Sequence, residues 1–235
     1  MSRDTFDEDV VRIASLGDEV RRRLYRFVVG RDAAVSRDEA AAGVGVPRHT
    51  AKFHLDKLVD EGLLETEFRR LTDRQGPGAG RPAKLYRPSQ AEVAVSLPDR
   101  DYELAGRLLA EAVTRAETEG TAVAEAVRAV SAEAGRRLGE SSAARRRRGD
   151  AGALASLLEV LSSCGFEPHV SPGGGPRTVV LRNCPFHRLA QTHPGLVCGM
   201  NHEFVSGVLA GLGAARLTAR LEPAADRCCV LVDAS

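Results

Sequence analysis

The sequence has no tryptophan, no cysteine before Cys164, no long apolar run and almost no net charge. The missing tryptophan, set beside heavy use of alanine and arginine, is a compositional bias from which nothing structural follows. No apolar run approaches the roughly 18–20 residues that span a bilayer, so no membrane partner is expected. The opening MSRDTFDEDV is acidic where a secretory peptide is basic and then apolar, and the expected location is the cytoplasm. With 33 basic and 32 acidic residues the net charge is +1, which excludes a polycation. Any nucleic-acid surface must therefore be a local patch. Five cysteines, an odd number all beyond position 160, do not make a secreted disulfide framework. In a reducing cytosol such thiols are metal ligands, redox sensors or buried small apolar residues.

What is present begins with a helical pattern. Val10, Ile13, Leu16, Val20, Leu24, Phe27 and Val28 recur at steps of three and four over Asp7–Val29, with Gly17 expected to split the helix and Gly30 to end it. Ser36-Arg37-Asp38-Glu39 has the Ser-x-x-Glu pattern of a capping box, so a short second helix starts there. Pro47 suits the first turn of a third helix that runs on to Gly62. A short helix, a tight turn and a helix offering Arg48, His49, Thr50, Lys52 and His54 outward is helix-turn-helix organisation. Phe53, Leu55, Leu58 and Val59 are expected to face inward.

Residues 63–69 and 83–88 read as two strands around a Gly/Pro-rich segment, a β-hairpin wing. Between positions 69 and 87, Arg69, Arg70, Arg74, Arg81, Lys84 and Arg87 face one acid, Asp73, a local charge of 6 − 1 = +5. A charge run is ordinarily a solvated face. Here it falls on the element that follows a DNA-reading helix, so Arg69, Arg74, Arg81 and Lys84 join the expected contacts to a double-stranded operator.

Pro88–Pro98 reads as a linker. Two amphipathic helices follow, at Asp99–Glu117 and Thr121–Leu138. Their apolar stripe either packs across a two-fold axis, giving a homodimer matched to a palindromic operator, or covers the chain's own sheet. The four arginines Arg145–Arg148 read as a loop. Beyond Asp150 the pattern is mixed: a helix at Leu154–Leu161, strands at Gly165–Val170 and Thr178–Leu181, a helix at Cys198–Leu212, and a hairpin of Ala214–Leu221 with Cys228–Val232.

This last part holds all the cysteines. Cys184 is expected at a strand end and Cys198 at a helix start, where a thiolate is favoured. Cys228 and Cys229 are adjacent on a strand, so only one should face the other two thiols. Three thiolates and one more donor satisfy a tetrahedral zinc or a four-iron cluster. The further donor is the other member of the pair, or Cys164, His187, His193 or His202. Cys184 and His187 are close enough in sequence to suggest a thiol–imidazole pair, yet no third orienting group is recognisable, and an enzyme is not expected.

Three stretches carry a family resemblance: Arg48–Leu55 with the Gly80–Tyr86 wing, Asn183-Cys184-Pro185-Phe186 through Val197-Cys198, and Asp226-Arg227-Cys228-Cys229-Val230. Together they resemble the ArsR-like winged-helix regulators of the SufR type, over nearly the whole length. The resemblance implies a dimeric repressor that binds an iron–sulfur cluster through its cysteines, with redox or cluster supply as the signal. Where that family carries one further cysteine, this chain has the neighbourhood of Leu221, and Cys229 aligns with the family's last cysteine more naturally than Cys228. The expectation is thus an α+β protein: a winged helix-turn-helix at 1–90, linker and dimerisation helices at 91–149, and a C-terminal α/β sensor domain with a small antiparallel sheet at 150–235. The expected cofactor is an iron–sulfur cluster or, alternatively, zinc. The other reading is a winged-helix regulator of a small molecule whose cysteines hold a structural zinc or are merely buried.

Overall fold

A computed structural model describes residues 3–70, 82–144, 150–171, 177–224 and 226–234. The chain divides into two compact units, residues 2–95 and 96–235.

In the first unit the expected helical stretch is split at Gly17, as anticipated, into α1 (Arg3–Ser15) and α2 (Glu19–Val29). The break falls at Gly17-Asp18, where the Asp18 carboxylate accepts the Arg21 N–H at 2.8 Å and caps α2. The capping box forms as expected. Glu39 N–H donates to Ser36 Oγ at 3.2 Å, and Ser36 N–H donates to Glu39 Oε2 at 2.8 Å, opening α3 (Arg37–Val44). Gly45, at φ 72°, closes α3 in the left-handed region, and α4 (Arg48–Asp60) follows within three residues. Strands β2 (Leu64–Arg69) and β3 (Ala83–Pro88) pair antiparallel from Leu64↔Pro88 to Arg69↔Ala83. A two-residue strand, β1 (Val35–Ser36), adds to the other side of β3. It is too short to leave a periodic signal. Leu24, Val28, Ala40, Ala51, Leu55, Leu58 and Leu64 form the core between helices and sheet.

The second unit contains α5 (Tyr102–Glu119), α6 (Val123–Ala143), α7 (Asp150–Ser163), β4 (Pro168–Val170), β5 (Thr178–Leu181), α8 (His187–Thr192), α9 (Pro194–Gly211), β6 (Leu217–Leu221) and β7 (Val230–Ala234). The four strands form one antiparallel sheet in the order β4-β5-β7-β6. The helices expected to form a separate segment at 91–149 share a core with the elements beyond 150. Leu104, Ala105, Leu108 and Ala112 of the α5 stripe are buried in this core, as are Ala126, Val127 and Val130 of α6. Tyr102, Val113 and Val123 are left exposed.

The closest packing in the unit lies between α6 and α9. Gly135 and Gly139 face Gly207 and Gly211, and a Cβ at Gly135 or Gly207 would stand 2.0 or 2.1 Å from the other helix's carbonyl oxygens. The two backbones touch, and only hydrogen fits between them. This contact holds the helix that carries Cys198.

Candidate nucleic-acid interface and thiol cavity

Helix α4 turns Ala51, His54, Leu55 and Leu58 inward, at the i, i+3, i+4, i+7 spacing of one face. That spacing corrects two expectations. His54 is buried rather than outward, and its Nδ1 accepts from Arg21 Nε at 3.4 Å, 3.9 Å from Asp18 Oδ1. Phe53, expected inside, is 63% exposed. The helical period, not the polarity of the side chain, decides which of these neighbours is inside.

The outward face carries Arg48, His49, Lys52 and Phe53, with Thr50 half-buried. Arg48 Nε pairs with Asp38 Oδ1 of α3 at 2.5 Å. Asp56 gathers three partners: Lys52 Nζ at 3.1 Å, Lys84 Nζ at 2.7 Å and the Tyr86 hydroxyl, which donates at 2.8 Å. Burial works to raise the Asp56 pKa, but the hydrogen bonds from Lys84, Tyr86 and Lys52 outweigh it and hold the carboxyl below its ordinary range. Asp56 thereby fastens the β2–β3 hairpin to α4. Arg69 lies 3.7 Å from Glu67, and Arg87 lies 2.8 Å from Glu65. The local charge counted along 69–87 therefore overstates the field, because Asp56, Glu65 and Glu67 lie outside that window but beside these cations. These ion pairs are largely exposed and weak, so a phosphate can compete for their cations. Arg74 and Arg81 lie outside the described residues, as does the run at 145–148.

In the second unit four of the five cysteines, Cys184, Cys198, Cys228 and Cys229, line one cavity of about 340 Å³ together with His187 and Arg227. The thiols form a chain of contacts: Cys184 to Cys228, Cys228 to Cys229, and Cys229 to Cys198. Cys184 sits in the turn after β5, where its carbonyl accepts the His187 N–H at 3.1 Å. Cys228 is tied to the same strand end by its N–H, which donates to Leu181 O at 2.9 Å. Both Cys228 and Cys229 face the cavity, whereas strand alternation would have separated them. They precede β7, in irregular backbone where the two-residue period is not enforced.

Cys198 differs from expectation in another way. Helix α9 starts at Pro194, so Cys198 is its fifth residue and stands past the first turn, where the terminal dipole acts. Burial raises its pKa, against a lowering hydrogen bond from Cys229. Contact with Cys228 and then burial raise Cys184 strongly. Cys228 stands at about 11: its contact with Cys184 lowers it, but its contact with Cys229 and its burial outweigh that. All three are thiols at neutral pH in this arrangement. Cys164, pushed up to about 11 by burial, sits at the end of α7 and does not line the cavity. His193 is exposed at the α9 cap. His202 belongs to a different cavity of about 560 Å³, with Ser206, Leu209 and Thr218, and its Nε2 lies 3.3 Å from Ala219 O. Of the histidines considered as a further donor, only His187 reaches the thiols' cavity. Among the described residues, no three or more His, Cys, Asp or Glu side chains stand spaced to hold a metal ion as they are.

Two features left no signal in the sequence. Asn201 of α9 is buried and donates from Nδ2 to Cys228 Sγ at 3.0 Å, while its Oδ1 has no partner. The turn bearing Cys184 is also bonded to the start of α5. Arg100 donates to Cys184 O at 3.0 Å and to the Asn183 side chain, and Asn183 donates to Asp99 O at 2.7 Å and Gly165 O at 2.6 Å. The bonds to Asp99 and Arg100 span 83 or 84 residues, which makes this bracket invisible to local reading.

A family model described as a helix-turn-helix domain matches residues 16–67, from the start of α2 through most of β2. The N-terminal unit thus carries a helix-turn-helix, the element of DNA-binding transcriptional regulators. No curated protein and no solved structure matches the chain. Among the described residues, no helix is long and apolar enough to cross a membrane.

Proposed function

We propose that this protein is a homodimeric winged-helix transcriptional repressor whose operator binding is controlled by an iron–sulfur cluster or a metal held by Cys184, Cys198, Cys228 and Cys229. The observation that carries the reading is the convergence of four thiols from three separate segments on one cavity, in a chain with a helix-turn-helix. Four thiols and an imidazole are the donor chemistry of a soft metal or cluster, and the donor set fits such a group. The raised pKa values of Cys184, Cys198 and Cys228 mean that loading expels protons, and the sulfurs must rearrange to meet a metal's geometry. When bound, the group supplies a charge and a rigid four-point crosslink. His187 is the reserve donor, and Asn201 holds Cys228 by its amide.

The chain's own residues carry the signal onward. Rearranging the thiols moves the Cys184 turn, and Arg100 and Asn183 pass that displacement to the start of α5. The α6–α9 glycine contact makes α9 and α6 move together. The β2–β3 hairpin is the wing, and the exposed Tyr102, Val113 and Val123 belong to the dimer surface. No catalytic role is assigned to Cys184 and His187.

Anaerobic purification followed by a visible spectrum, with iron, sulfide and zinc analysis, tests this. Broad absorbance near 400 nm with matching iron and sulfide supports a cluster, and one zinc per chain supports the metal form. Absence of any metal from protein purified this way sinks both. A second reading rests on the cavity of about 560 Å³ beside His202, whose size and largely apolar lining suit a small organic effector. It takes precedence if operator binding responds to a small molecule and ignores the thiols.

A further inference from the structure

We propose that Phe53 is a specificity-determining residue that reads the 5-methyl group of a thymine in the major groove. The inference rests on the DNA-binding reading above and assigns a chemical target to a side chain that helix polarity alone placed in the core.

Phe53 stands in the second turn of α4, four residues after His49 and next to Lys52, on the face opposite Ala51, Leu55 and Leu58. Phe53 is 63% exposed, whereas Leu55 and Leu58 of the same helix are fully buried. The ring meets the buried His54 imidazole edge-on, with centroids 5.2 Å apart and planes at 72°. His54 is in turn held by Arg21. The neighbouring charges identify the occupant. Arg48 and Lys52 share the exposed face of α4 with the ring. Their pairs with Asp38 and Asp56 are largely exposed, so a polyanion can compete for them, whereas an apolar protein surface would desolvate them. A duplex presents one apolar group among the hydrogen-bonding edges of its major groove, the thymine methyl, and an aromatic ring is a known partner for it. A basic helix face with one exposed apolar knob fits that pattern.

The test compares thymine with deoxyuridine, which differ by the methyl alone. The full-length protein is first used to select its preferred duplex from a random pool. Each thymine of that duplex is then replaced in turn, and affinity is measured with wild-type, Phe53→Ala and Phe53→Leu proteins. In the wild type, one replacement per half-site is expected to weaken binding about fourfold, the transfer value of one buried methyl. In Phe53→Ala the same replacement should change nothing further, and Phe53→Leu should keep part of the discrimination. The ring makes no contribution to the core, so both variants fold, and their unfolding curves verify this. Wild-type indifference to every replacement overturns the proposal, as does a methyl effect that persists undiminished in Phe53→Ala; in both cases DNA binding itself stands. If no duplex is selected at all, the DNA-binding reading falls and takes this inference with it.

Discussion

The outward face of α4 and the thiol cavity are built in opposite ways. The α4 face comes from one continuous stretch of thirteen residues, and its members are neighbours because a helix repeats every 3.6 residues. The cavity is assembled from the turn after β5, the second turn of α9 and the segment before β7, and its members meet only because a sheet and two helices dock correctly. Damage to remote packing should therefore ruin the cavity and spare the face. The separate cores of the two units support the same contrast.

The most severe way to break the comparison is at Gly207. A Cβ there would stand 2.1 Å from Ala132 O and 2.9 Å from its carbonyl carbon. Because the obstacle is backbone, relief requires α6 and α9 to separate. Gly207→Ala is expected to cost about 3 kcal/mol or more and to abolish metal retention, while the fold of residues 2–95 persists. Urea unfolding followed by circular dichroism should show one early transition and one unchanged. A single unshifted transition would mean that the helices are not in backbone contact.

Within the cavity, Cys184→Ser and Cys198→Ser should each remove most of the bound metal or cluster, whereas Cys164→Ser should leave it in place. Cys164 is as buried as Cys184 but lies off the cavity, so it controls for simple loss of a buried thiol. Metal analysis of anaerobically purified variants reads this directly. Equal retention in all three contradicts the ligand assignment.

The same contrast explains which features could be read from sequence. The Ser36–Glu39 capping box and the paired strands of the hairpin depend on residues a few positions apart or on strand periodicity, and they were legible. The inside and outside of α4 were legible for Leu55 and Leu58. For Phe53 and His54, polarity and spacing disagree, and the spacing set by Ala51, Leu55 and Leu58 wins. The start of α9 carries a signal of its own, Pro194 at its first position, four residues before Cys198. By contrast, nothing local distinguishes Arg100 or Asn201. Their partners lie 83, 84 and 27 residues away, and only tertiary docking shows that they support the thiol turn. The convergence of Cys228 and Cys229 on one side belongs here too, since it depends on the irregular backbone before β7.

On α4 itself, paired substitutions sharpen the distinction between support and reading. His54→Ala removes a buried ring held by Arg21 and should destabilise the first unit by about 1–2 kcal/mol. Phe53→Ala, at an exposed site, should fall within about 0.5 kcal/mol of wild type. Equilibrium unfolding of both variants gives the values, and the reverse ranking would mean that Phe53, rather than His54, supports the core of the first unit.

The smallest expected effect concerns Asp56, which joins the local face to the hairpin. Its folded-state pKa is lowered by Lys84, Tyr86 and Lys52, so its contribution to stability is present above the unfolded carboxylate pKa, about 3.9, and is lost as pH falls through the lower folded value. Asp56→Asn removes the charge at every pH. Because the carboxylate is partly solvated, with 29% of the side chain accessible, the loss near neutrality should be only about 1 kcal/mol. The gap between wild type and variant should then close as the pH is lowered below about 4, because the protonated wild-type side chain no longer attracts the two lysines. A gap that stays constant through that range would show that Asp56 fastens the hairpin by neutral hydrogen bonding to Tyr86, and that its two lysines are free to meet phosphates at no electrostatic cost.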